Sequence, residues 1–292
     1  GASVTDQKLV ADAVHKALNK KVKDILSAIP AGVDPLSYTR EWLSDKVFPE
    51  VDLTRPVSEE DVEEAIKSLN ITDAAGHDDL TTRLVKCMGG YITPVLTHMV
   101  NLCFEQDRMP TVFKLAKISP LFKSGDKFNP RNYRPVAVLP AISKVIERVV
   151  FSRLKSHLES HQLLSDRQNA YREKRSVTTA MLQLYDEILL KQDEGIDSAC
   201  VFLDCSAAFD TIQHSVLLEK LRMYGASAKS MAWFKDYLTD RAQYVSICGT
   251  RSEIIKILDG CFQGSLGGPW CYLVIINDII ILGHRGGFTI YI

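Results

Sequence analysis

Between Ala141 and Leu158, the residues Ile142, Val145, Ile146, Val149, Val150, Leu154 and Leu158 recur at the spacing of one helical face. An apolar face of that length has to be covered by other elements. Lys144, Arg148 and Arg153 fall elsewhere around the same helix. The chain must therefore build a packed interior, and its composition allows one: of 292 residues, 46% are hydrophobic and 24% charged. Two lobes are compatible with that length.

Other segments set the organisation. In "PVSEEDVEEAIKSLN", Ser58 is placed to cap a helix with Asp61 closing a capping box, and Val62, Ala65, Ile66 and Leu69 follow at helical spacing. A polar loop around Gly76 leads into an amphipathic helix, and a further helix is expected to start near Pro94 and stop before Pro110. "KLAKISPLFKSGDKFNPRNYRPVAVLP" changes character, with β-prone pieces, a Ser124-Gly125-Asp126 turn and clustered bases, and it predicts a basic hairpin. Helices are expected near Thr179 to Leu190, Val216 to Tyr224 and Ser230 to Leu238, with strands near Tyr244 to Ile247 and Ile254 to Leu258. The nearly continuous apolar run Ala199 to Leu203 predicts a central buried strand. The resulting class is α+β, with helices packed on a small antiparallel sheet and no internal repeat.

The formal charge of −1 hides an asymmetry. Residues 1 to 79 carry 9 Lys and Arg against 16 Asp and Glu, a local −7, whereas residues 111 to 175 carry 14 against 5, a local +9. Such a basic stretch suits a polyanion such as nucleic acid, or is a solvated face. Seven cysteines without a C-x-x-C pair argue against a disulfide framework, and are expected to be reduced and mostly buried. No run is apolar enough for a membrane span, and the start lacks the regions of a signal peptide, so an intracellular protein is expected, in nucleus or cytoplasm.

The chemistry concentrates in "VFLDCSAAFD", residues 201 to 210. An aspartate at the end of a strand can present a carboxylate to a divalent cation, and it can equally cap a turn. Other motifs surround it in order: "AAGHDDL", "LFKSGDKFNPRNYRP", "NYRPVAVLPAISKVIERVV", "RQNAYREKRSVTTAM", then "DCSAAFDTIQHSVLLEKL" and "GCFQGSLGGPWCYLVIINDI". Together, from about Val57 to the end, they resemble the reverse transcriptase domain of non-LTR retrotransposons.

The resemblance implies a right-hand polymerase, with an N-terminal extension or linker over 1–57, fingers over 58–198 and an incomplete palm over 199–292. It implies that Asp204 binds two catalytic Mg²⁺ ions and that the carbonyl of Cys205 helps hold one. Ser206, Ala207 and Ala208 are small enough for backbone N–H groups to approach a triphosphate, although small residues also permit tight packing. Phe209 falls where the family has a steric gate against a 2′-hydroxyl; packing alone is the other reading of an aromatic there. Lys123 and Arg134, with Lys117 in support, match the residues that fold over the phosphates of a dNTP. Gln263 and Gly264 match the pair beside the nucleotide and template base, and Gly267 departs from the family by standing where a larger apolar residue is usual. Arg131, Arg172, Lys174 and Arg175 match positions on the template track, while His214 reads as structural.

The partners implied are an RNA template, a DNA primer and dNTPs, with no membrane. In the ending "GGFTIYI", Tyr291 matches the tyrosine of the family's Tyr-Ala-Asp-Asp hairpin and Ile292 stands at its alanine, with neither aspartate nor the thumb following, so the chain alone is expected to be inactive, its strand near Phe288 to Ile292 leaving an apolar edge open to a protein partner. A truncated sequence, a decayed copy and a retained fragment all fit. The alternative function is a noncatalytic module that binds nucleic acid or protein.

Overall fold

The computed structural model describes residues 6–292 except Ala31, Val33 and Gly287, and the side chain of His284 is also outside the description. The sequence stretch Gly1 to Thr5 therefore lies outside the described residues.

The chain opens with helix α1 (Gln7–Ser27), capped by Asp6, and α2 (Ser37–Leu43). Helix α3 (Glu59–Ser68) begins at the expected capping box: Ser58 Oγ accepts from the Asp61 amide and Asp61 accepts from the Ser58 amide, both at 3.2 Å. Helix α4 (Thr82–Glu105) joins the two helices expected on either side of Pro94 into one. The proline cannot donate to the preceding turn. The hydroxyls of Thr93 and Thr97 donate to the Gly89 and Thr93 carbonyls at 2.9 and 2.8 Å and shore up that turn.

The basic hairpin follows as β1 (Leu115–Phe122) and β2 (Tyr133–Val138), antiparallel from Lys117 opposite Val138 to Phe122 opposite Tyr133. Its loop is closed by the Lys123 amide on the Asn132 carbonyl at 2.9 Å. Helix α5 (Ala141–Ser160) buries its apolar face as its periodicity requires, with Val145, Ile146, Val150 and Leu158 essentially inaccessible. Helices α6 (Val177–Asp193), α7 (His214–Met223) and α8 (Ala228–Leu238) lead to strands β3 (Ala242–Ile247), β4 (Thr250–Arg251) and β5 (Ile255–Lys256), then α9 (Gly268–Ile276) and α10 (Ile280–Gly286).

The sheet runs β2-β1-β3-β4, with β5 also pairing β3. It is mixed rather than antiparallel, since Leu115 to Ile118 of β1 pair in parallel with Ala242 to Val245 of β3. The reason is connectivity: α5 to α8 form the long crossover that parallel pairing needs. Most of the core lies among α3, α4, α5, α7, α8 and α9, and a smaller cluster around Ile118, Ala137, Val245 and Phe262 sits against the sheet, where Val14 of α1 joins it. Residues before 58 share these cores: Leu53 and Val57 are buried in the first, and the Val51 amide bonds the Gly225 carbonyl at 2.8 Å.

Two expected strands do not form. Ala199 to Leu203 is irregular, and Val201, Phe202 and Leu203 are 82 to 85% exposed. Apolar content favours a strand only where a ladder partner lies alongside, and none of β1 to β5 pairs with this segment. Phe288 to Ile292 is likewise not a strand; Ile292 instead exchanges backbone hydrogen bonds with Arg167 and Asn169 at 3.0 and 2.8 Å, so its backbone is already engaged. The cysteines are free, but Cys87, Cys200, Cys205 and Cys248 are exposed, leaving only three buried.

Candidate active site

A cleft of about 340 Å³ opens between the basic hairpin and the Asp204 to Asp210 segment. Its lining brings together Lys123, Arg131, Arg134, Asp204, Cys205, Ala207, Ala208, Phe209 and Gln263. Residues 123 to 134 and residues 204 to 263 are joined across a long stretch of chain by the packing of β1 between β2 and β3, by the Ala137 amide on the Gln263 carbonyl, and by the backbone bond of Cys261 to Phe209.

The hairpin supplies the cations. Lys123 and Arg134 are exposed and make no ion pair or hydrogen bond through their side chains among the described residues. Arg131 lies 3.7 Å from Asp24 of α1. Lys117 sits on β1 and does not line the cleft.

The segment after Asp204 is a tight turn rather than the end of a strand. Ala207 has a φ of 53°, a left-handed conformation that costs a residue with a Cβ about 1–2 kcal/mol. Its carbonyl accepts from the Asp210 amide at 2.9 Å and from the amide and hydroxyl of Thr211, both at 3.1 Å. The strain is held by these three bonds and aims Ala208 and Phe209 into the cleft wall. Phe209 packs tilted on Tyr272 with ring centroids 5.5 Å apart and edge-on to Tyr171 at 6.3 Å. Its backbone carbonyl accepts from Cys261 at 2.8 Å, and His214 Nε2 bonds the Gly260 carbonyl at 2.8 Å, the structural role expected of that histidine.

Gly264 needs to be glycine on two counts. Its φ is 125°, and a Cβ there would collide with the Ala137 carbonyl oxygen. That approach lets the Ala137 amide bond the Gln263 carbonyl at 2.7 Å, fixing Gln263 beside β2 at the cleft. Gly267 answers the sequence departure noted above. A side chain at 267 would run into the ring of Phe151, which fills that volume from α5.

Of the residues expected on the template track, Arg131 lines the cleft, whereas Arg172, Lys174 and Arg175 do not. Arg172 is nearly buried, its guanidinium on both oxygens of Glu159 at 2.8 and 2.6 Å and on the Ser165 and Gln168 carbonyls. Arg175 is held by Asp166, whereas Lys174 is exposed without a side-chain partner among the described residues.

The sequence reading missed several lining residues. Leu18, Asn19, Lys21 and Val22 come from α1, and Arg241, Gln243, Asp259 and Asp210 complete the floor. Burial pushes the Asp210 carboxyl up to about 6, opposed by the nearby Lys21 ammonium. Tyr272 lies beside Cys205 and Asp204, and burial together with these neighbours raises its phenol. No spacing rule links α1 to this segment, since the contact is made only by folding.

As a metal site the lining is partial. Among the described residues no group of three or more His, Cys, Asp or Glu side chains is arranged to hold a cation. Asp204 with the Cys205 carbonyl fits one magnesium-like ion that keeps waters and substrate phosphates as its other ligands, but not two such ions.

The comparison with known families falls on this same region. A profile described as reverse transcriptase (RNA-dependent DNA polymerase) matches residues 123–286, which include the hairpin, the Asp204 segment and the Gln263 turn. The chain belongs to the reverse transcriptase family. It is 29% identical over 226 residues to the probable RNA-directed DNA polymerase from transposon BS of Drosophila melanogaster, covering 77% of this chain and 25% of that protein. To the probable RNA-directed DNA polymerase from transposon X-element of the same organism it is 26% identical over 250 residues, 85% of this chain and 27% of the relative. The RNA-directed DNA polymerase from mobile element jockey, also of Drosophila melanogaster, is 26% identical over 224 residues, 76% and 24% of the two chains. This reverse transcriptase domain, of the non-LTR retrotransposon type, thus spans about a quarter of the length of these curated relatives. The family is one of nucleotidyl transferases that generally use a divalent metal. No helix among the described residues is long and apolar enough to cross a membrane.

Proposed function

We propose that this domain copies RNA into DNA, adding dNTPs to a DNA primer, and that the cleft between hairpin and Asp204 segment receives the incoming nucleotide. The observation that carries the reading is convergence: Lys123, Arg134, Asp204, Ala207, Ala208, Phe209 and Gln263 line one cavity although they span 141 positions of sequence, 123 to 263. In this reading the unpaired Lys123 and Arg134 take the triphosphate, one as a point charge and the other as a planar donor fork. The small side chains at 206 to 208 leave the backbone of the turn open to phosphate oxygens.

Phe209 acts as the gate against a 2′-hydroxyl, its ring held in place by Tyr272 and Tyr171. Gln263, fixed through the Gly264 contact with β2, borders the base. Asp204 and the Cys205 carbonyl hold Mg²⁺, which supplies charge neutralisation to the phosphates when bound. Arg131 and Lys174 are the free or weakly paired cations of the template set, whereas Arg172 and Arg175 serve it by fixing the loop from which Lys174 projects. The division into extension, fingers (58–198) and palm (199–292) belongs to the same proposal.

The test is primer extension on an RNA template with dNTPs and Mg²⁺, using the element protein that contains this domain. Asp204→Asn should abolish extension while leaving template binding in place. Extension at the wild-type rate by Asp204→Asn would overturn the assignment.

A further inference from the structure

Helix α1 is tied to the sheet at several points. The Thr250 hydroxyl meets Gln7 at 2.9 Å, the Lys8 ammonium donates to the Arg251 carbonyl at 3.1 Å, and Asp12 accepts from the Glu253 amide at 2.8 Å. His15, 1% exposed, bonds Ser252 Oγ at 3.0 Å, and Ala11 and Leu18 are buried beneath the helix. At its far end Asp24 approaches Arg131 at 3.7 Å. These contacts fix the rotation of the helix about its axis, and so fix which of its lysines faces the cleft.

Only one does among the described lysines of α1. Lys21 lines the cleft with Asn19 and Val22, while Lys16, Lys20 and Lys23 are exposed and lie outside it. Lys8 is engaged with Arg251 and Asp12. Lys21 makes no side-chain hydrogen bond or ion pair within 4.0 Å among the described residues, yet its charge reaches Asp210, the neighbour of Phe209. It is a half-buried, unpaired ammonium held in the same cavity as Lys123 and Arg134.

We propose that Lys21 is a phosphate-binding residue of the nucleotide site, so that α1 contributes a cation to the triphosphate in addition to those of the hairpin. The inference rests on the reading of the cleft as a dNTP site and extends that site to an element outside the family match, which begins at residue 123. A half-buried ammonium without a fixed carboxylate partner leaves its donors available to an entering anion, and a triphosphate brings oxygens with formal charge. A template phosphodiester offers the same oxygens, but a place in the cavity that Phe209 and Gln263 also line, and that Lys174 does not, favours the nucleotide.

The test is equilibrium binding of a fluorescent dNTP with Mg²⁺, and separately of an RNA–DNA primer–template, to the full chain and its variants. Lys21→Ala should weaken dNTP binding roughly tenfold, the scale of one lost hydrogen bond to a charged group. Lys21→Arg should retain most of the affinity, and Lys20→Ala, which removes the same charge from the same helix outside the cleft, should stay within about twofold. Primer–template affinity should not change with Lys21→Ala. Equal effects of Lys21→Ala and Lys20→Ala would overturn the inference, as would a loss confined to primer–template, which would assign Lys21 to nucleic-acid phosphate. Arg134→Ala separates the levels. If it weakens dNTP binding and Lys21→Ala does not, only this inference fails; if wild type binds no dNTP, or Arg134→Ala binds as wild type does, the nucleotide reading of the cleft fails with it.

Discussion

Helices α5 and α6 carry comparable runs of apolar residues and meet opposite fates. In α5, eleven residues are buried, including Ile146 and Leu154; in α6 none is, and Val177, Leu182, Tyr185 and Leu190 are 59 to 80% exposed. The apolar segment Val201 to Leu203, which precedes the turn at Ala207, is exposed in the same way. The difference lies in partners: α5 is surrounded by α3, α4, α8 and α9, whereas α6 meets Thr289 and Tyr291 only at Gln183 and Glu187, and among the described residues its exposed apolar side chains and those of residues 199 to 203 stay uncovered. Apolar pattern decides that a segment can be buried, and neighbouring elements decide whether it is.

A pair of truncations tests this difference between α5 and α6. Ile146→Ala should cost about 2–5 kcal/mol of stability by leaving a cavity in the core, and Leu182→Ala should stay within about 0.5 kcal/mol. Denaturant unfolding of both variants measures this. A large loss for Leu182→Ala would mean that the α6 face is packed after all.

A second difference separates the rigid side of the cleft from its strained side. Gly264 is locked against Ala137, so Gly264→Ala should cost about 1–3 kcal/mol through backbone strain and displace Gln263. Lost affinity for dNTP with unaltered primer–template binding would mark that displacement; wild-type stability and affinity would show that the close approach is not required.

On the other side, Asp210 carries a carboxyl raised to about 6 by burial. A carboxyl raised above its unfolded value of 3.8 contributes its stability fully below that value, and the contribution is lost as pH rises through about 6. Asp210→Asn should therefore stabilise the protein above pH 6 by about 1–3 kcal/mol, with the difference from wild type vanishing below about pH 4. Thermal unfolding across that range checks it, and a constant difference at every pH would contradict the raised carboxyl. The smallest effect is expected at the strained turn, where Ala207→Gly should gain up to about 1 kcal/mol by relieving the positive φ, set against the greater freedom of glycine when unfolded.

The same contrast explains what could be read before folding. The capping box at Ser58, the face of α5 and the basic hairpin are local patterns, and each forms as the residues dictate. Gly264 was legible only through the resemblance, as one of the pair beside the nucleotide; the carbonyl that requires a glycine there, that of Ala137, lies 127 positions earlier and is met only in the fold. Ala199 to Leu203 misled because a strand is completed by another strand, and its own residues carry no record of one. Gly267 stood out only as a departure from the family, and the ring of Phe151 fills the space that a side chain there would take. Lys21 and Asp210 enter the cleft, and Tyr272 comes to lie beside Cys205, through packing alone, and nothing in the sequence shows that Glu159 and the Ser165 and Gln168 carbonyls take the donors of Arg172.

In the proposed function one cleft selects and holds a deoxynucleotide, with Phe209 braced by Tyr272 and Tyr171 as the selecting group. The most direct measurement is the ratio of rNTP to dNTP incorporation by Phe209→Ala in the element protein that contains this domain, on an RNA template. The ratio should rise by roughly tenfold or more, because one steric contact with the 2′-hydroxyl is removed while the proposed phosphate contacts remain. An unchanged ratio in an active variant would contradict it.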